Sequence, residues 1–131
     1  MLLTSPPMCR SFQYLHPQKE NEWVTVNLTK KGPLLPVEYK GQERQFPWKG
    51  FCQVEGLKKG AWQELKPKLV KVKVTRGQSN GVHFQIRQGV YALFLDHPKG
   101  KGLYILTQPS THYYRTMTGA TRMPILINQV I

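Results

Sequence analysis

Acidic side chains are almost missing from one half of this sequence. Residues 66–131 carry ten lysines and arginines against a single acid, Asp96, whereas residues 1–65 carry nine against six glutamates. Over all 131 residues the net charge is +12. A solvated surface ordinarily mixes both signs, while a field of one sign repels itself and attracts polyanions. The asymmetry therefore points to a polyanionic partner, with nucleic acid, DNA or RNA, the first expectation.

Cysteine is also scarce. Cys9 and Cys52 form no C-x-x-C or zinc-ligand spacing, which argues against a disulfide scaffold and a zinc finger. Residues 1–7 lack the basic and apolar regions of a secretory leader. Two reduced thiols in a cytoplasmic protein are expected, and the glycosylation-like triplet at Asn27 carries no meaning there. Long apolar runs are absent, so no membrane partner is expected. Metal-dependent nucleases gather several carboxylates around the ion, and here the acids are scattered. The zinc-deaminase, nucleophile-elbow, H-E-x-x-H and P-loop patterns do not occur. No cofactor is expected, and an enzyme is the less favoured reading.

Helical periodicity is the last absence. No segment places apolar residues at i, i+3, i+4 and i+7 over three turns. What is present is alternation. Val24, Val26 and Leu28 share one face of a strand. Residues 34–40 read as a second strand, which Pro36 relegates toward an edge. Residues 46–56 begin as an aromatic loop and end as a strand. Lys49-Gly50-Phe51 faintly echoes an RNA-recognition motif, but Gln53 stands where its second stacking aromatic belongs. The two long helices of that fold are missing too, so Trp48 is read as core. Residues 61–65 suit one helical turn stopped by Pro67.

Val70, Val72 and Val74 alternate with Lys71, Lys73 and Thr75, and Val82, Phe84 and Ile86 alternate with His83, Gln85 and Arg87. The spacing predicts a β-hairpin over 69–88, connected through 76–81. Residues 90–95 are apolar on both faces and predict a central strand. Residues 103–106 and 123–131 predict two more. The expected fold is all-β, a small barrel or sandwich of about seven short strands with little helix. Residues 1–20 read as a weakly ordered N-terminal arm, and 21–131 as a single β-rich domain.

Three groups of residues are candidates for binding. If the 69–88 hairpin pairs, Lys71, Lys73, His83, Gln85 and Arg87 share its outer surface, with Thr75 between them. Lys99 and Lys101 flank glycines in a turn that could approach a phosphate. Residues 107–122 read as a long loop in which eight of sixteen residues bear hydroxyls, together with His112, Arg115 and Arg122. Within it Tyr113 and Tyr114 offer stacking faces and arginine a phosphate fork, although one of the tyrosines is expected to plug the barrel end. The expected function is non-catalytic nucleic-acid binding. The alternatives are a basic subunit docking on an acidic protein or within a ribonucleoprotein, and a metal-independent ribonuclease using His83 and His112 as base and acid.

Overall fold

The structure is a computed structural model. It describes residues 10–131 apart from 17–18, 20–21, 30–31, 61–62, 97 and 99–100. Lys99, named above as a candidate, lies outside the described residues, as does Cys9.

The described residues form ten strands. They are β1 (Ser11–Leu15), β2 (Trp23–Asn27), β3 (Leu34–Tyr39), β4 (Gln42–Gln53) and β5 (Lys68–Val72). Then follow β6 (Arg76–Ser79), β7 (Val82–Gln85), β8 (Val90–Leu95), β9 (Gly102–Pro109) and β10 (Arg122–Pro124). Helix is confined to α1 (Val54–Lys58), α2 (His112–Thr118) and a 3-10 turn at Gln63–Leu65. The all-β expectation holds, with more strands than expected because several are only three to five residues long.

Two sheets divide these strands. One has six strands in the order β10-β9-β4-β3-β5-β8, and β8 also pairs with β9. That last pairing closes β9, β4, β3, β5 and β8 into a ring, a small barrel with one parallel pair, β4 with β9. The other sheet has four antiparallel strands in the order β2-β1-β6-β7. One apolar cluster joins them. Phe12, Val26 and Phe84 from the four-stranded sheet pack with Leu35, Val37, Val72, Phe94 and Ile105 from the barrel. On β8, Ala92 and Phe94 enter this cluster while Leu93 turns to a second one with Cys52 and Leu106. Burial on both faces explains why 90–95 shows no alternation.

Several local expectations change. The 69–88 hairpin is two nested hairpins. β5 pairs with β8, Val72 opposite Val90, and the chain between them makes a separate hairpin, β6 with β7, in the other sheet. The physical reason is the turn. Asn80 and Gly81 have φ of 51° and 79°, the two left-handed positions that a two-residue type I′ connection demands. Arg76–Ser79, expected as connection, is therefore strand.

Residues 46–56, expected to begin as a loop and end as a strand, do the reverse: 46–53 lie within the long strand β4, which breaks register between Trp48 and Gly50, and 54–56 open α1. Trp48 is 6% exposed and belongs to the core, as expected. Pro36 is not at an edge, since β3 has β4 on one side and β5 on the other. Its carbonyl accepts from Lys73 N at 2.8 Å. N–H and C=O of one antiparallel residue face the same neighbour. The missing donor thus faces β5 just beyond the last register pair, Val37 with Val72.

The loop expected at 107–122 is the end of β9, helix α2 and β10. Thr111 caps α2 by accepting from Tyr114 N, and Gly119 ends it in the left-handed conformation. Within residues 1–20, Ser11–Leu15 forms β1, paired on both edges, with Phe12 fully buried.

Candidate functional site

Strand alternation gives the four-stranded sheet two unlike faces. Val26, Phe12, Gly77 and Phe84 stand in register across it and face the core. The neighbouring residues face away. One outward row runs Asn27, Ser11, Gln78, His83, and the next runs Thr25, Gln13, Arg76, Gln85. Trp23 opposite Leu15 makes a third, and Arg87 follows two residues after Gln85. No strand residue of this sheet is acidic.

Side-chain hydrogen bonds run across this face. Gln13 Nε2 donates to Thr25 Oγ1 at 2.9 Å, and Arg76 donates to Gln13 Oε1 at 3.3 Å. Ser11 Oγ donates to Gln78 Oε1 at 3.1 Å. The Arg76 guanidinium also lies 4.4 Å from the centre of the Trp23 ring, a cation–π contact. At the β7 edge, Gln129 substitutes for a strand. Its amide accepts from Arg87 N at 2.8 Å and donates to Gln85 O at 2.7 Å.

Two hollows open beside the face. The first, about 570 Å³, is bordered by Trp23, Arg76, His83, Gln85 and Arg87. The second, about 480 Å³, is bordered by Tyr14, Glu43, Lys71, Lys73 and Arg87. Thr75 and Arg87 belong to both, so the hollows adjoin. Their electrostatics differ. Lys73 Nζ lies 3.9 Å from Glu43, and Lys71 stands opposite Glu38 across the β3–β5 register. Acids therefore do stand among these lysines, because β3 and β4 deliver two glutamates. Arg76 and Arg87 have no carboxylate partner among the described residues.

The remaining candidates are dispersed. Lys101 sits 3.8 Å from Asp96, both exposed. Tyr113 is 62% exposed, whereas Tyr114 is fully buried, edge-on to Phe84 at 5.2 Å. Tyr114 is thus core. His112 and Arg115 lie on the exposed side of α2. Arg122 is committed elsewhere. Its guanidinium grips Glu55 at 2.6 and 2.9 Å and Thr107 at 3.0 and 3.1 Å. Those hydrogen bonds hold the Glu55 carboxyl down at about 2 and push Arg122 higher. Such a pair ties α1 to β9 and β10 and leaves no fork for a phosphate. His83 and His112 are exposed on separate elements, and no described side chain bonds to either. Cys52 is buried, and burial raises its thiol, an unreactive setting. Among the described residues no three His, Cys, Asp or Glu come together as metal ligands, and no helix is long and apolar enough to cross a membrane.

Trp23 and Arg76 carry no site signal in the sequence: one opens a strand and the other falls in the 76–81 connection. No protein-family model, curated protein or solved structure matches this chain.

Proposed function

We propose that this protein binds nucleic acid without cleaving it, and that the outward face of the β2-β1-β6-β7 sheet, with Arg76 and Arg87, is the binding surface. One observation carries the reading: two arginines without a carboxylate partner among the described residues adjoin a sheet whose strands hold amides, hydroxyls and an imidazole but no acid. Guanidinium groups take phosphate oxygens two at a time, and each such bond is charge-assisted. Gln13, Gln78 and Gln85 can donate and accept along base edges. Lys71 and Lys73 extend the positive path along the second hollow, and Lys73, paired with Glu43, contributes less.

The test is fluorescence anisotropy of labelled DNA and RNA oligonucleotides with the full chain. Saturable binding is expected, weakened at least about ten-fold in Arg76→Ala/Arg87→Ala, in line with the worth of hydrogen bonds to charged groups. Absence of binding to every oligonucleotide at low salt would overturn the proposal and favour an acidic protein as the partner.

A further inference from the structure

Resting on that reading, we infer that the site is built for unpaired bases: the first hollow seats a single-stranded nucleotide, its base stacked on Trp23. The indole stands on β2, an edge strand, and remains 42% exposed, while Trp48 is 6% exposed in the core. An aromatic ring left this open has apolar surface still to bury. It is also held in place. Arg76 lies 4.4 Å from its centre and is itself tied to Gln13, which in turn holds Thr25. A ring already fixed loses little rotamer freedom when a ligand arrives.

The hollow has room for a nucleotide, because small-ligand sites run from about 300 to 1,000 Å³ and this one is about 570 Å³. Its walls match the three parts of an unpaired nucleotide. The Trp23 ring meets the face of a base, Gln85 meets its edge, and Arg76 and Arg87 meet the flanking phosphates. In a duplex the base faces are already stacked on one another, so only a single strand, a loop or a bulge can offer one to an indole. The chemistry is shared by single-stranded DNA and RNA.

The experiment compares labelled 12-nucleotide single strands of DNA and of RNA, the matching blunt duplexes, and a DNA strand of equal length with abasic sites. Long-chain inorganic polyphosphate serves as a polyanion without bases. The wild-type protein is expected to bind at least one single strand more tightly than its duplex and than the abasic strand. Trp23→Leu should weaken the single-strand complex by about 5- to 150-fold, the range of one base–aromatic stack. Trp23→Phe should weaken it less, and in both variants polyphosphate affinity should fall by less than single-strand affinity, since only the Arg76 contact with the ring is shared by the two ligands. Equal binding of abasic and ordinary strands by wild-type protein would overturn the inference without any variant having to fold. So would duplexes bound as tightly as single strands, or a polyphosphate-competent Trp23→Leu protein that holds single strands as tightly as wild type. In those cases the nucleic-acid reading itself survives. Polyphosphate binding with no oligonucleotide binding would remove both.

Discussion

Gly77 decides a contest between two opposed effects. It lies in strand β6 with an ordinary φ, and glycine inside a strand is usually less stable than alanine there by about 0.5–1 kcal/mol. On that ground alone Gly77→Ala would stabilise. The space says otherwise. A Cβ at Gly77 would stand 2.4 Å from Phe84 Cζ and under 3 Å from both Cε atoms. Ordinary contact begins near 3.4 Å, so the ring would have to retreat by about 1 Å. Behind it stands Tyr114, edge-on with centroids 5.2 Å apart and itself fully buried. Close-packed interiors do not absorb such a shift freely, and overpacking costs about 1–3 kcal/mol. The clash should win, giving net destabilisation of up to about 2.5 kcal/mol after the glycine term is subtracted. Urea unfolding monitored by circular dichroism measures it. The variant Phe84→Leu removes the obstructing ring at its own cost. In the double variant Gly77→Ala should therefore be less damaging than alone, a coupling of at least about 0.5 kcal/mol. A Gly77→Ala protein more stable than wild type, or strict additivity with Phe84→Leu, would refute the packing argument.

Three other outcomes are expected. Glu55 is held at about 2, against an ordinary 4.5, mainly by its hydrogen bonds to Arg122. A depressed carboxyl adds stability that is whole above its unfolded value and disappears as pH falls toward the folded one. The melting-temperature gap between wild type and Glu55→Gln should thus narrow from pH 6 to pH 2. Gln129→Ala removes the side chain that bonds both Arg87 N and Gln85 O. It should cost about 1 kcal/mol in urea unfolding and speed amide exchange at Arg87. RNA incubated in EDTA with binding-competent protein should stay intact. Cyclic-phosphate ends lost in both His83→Ala and His112→Ala would restore the ribonuclease reading.

Faces were legible in the sequence and partners were not, for a physical reason. Alternation is a local property. Val26, Phe84 and Ile86 are buried as their spacing indicates, while Thr25, His83 and Gln85 are exposed. Pairing is non-local, and Val70 could meet its partner in β7 or, as it does, in β8. The deciding signal is Asn80-Gly81, but Gly77, Gln78 and Ser79 are turn-forming or polar too and hide how short the turn is. Helix α2 also carried its caps in the sequence, Thr111 ahead and Gly119 behind. Its seven residues are too short for a helical period to emerge, and its threonines and tyrosines are poor helix formers. Acids stand beside Lys71 and Lys73 after all, because strands distant in sequence set Glu38 opposite Lys71 in register and bring Glu43 to Lys73. Trp23 and Arg76 are fifty-three positions apart, and only the β2-β1-β6 order brings them together.

In the proposed complex Arg76 and Arg87, aided by Lys71, meet phosphates. The most direct measurement is the salt dependence of binding to a single-stranded oligonucleotide. Each phosphate neutralised adds about 0.7 to the slope of log affinity against log salt, so three contacts should give a slope of about −2. Arg76→Ala/Arg87→Ala should flatten it to about −0.7. An unchanged slope in that double variant, or a wild-type affinity indifferent to salt, would place the phosphates elsewhere and contradict the assignment of this face.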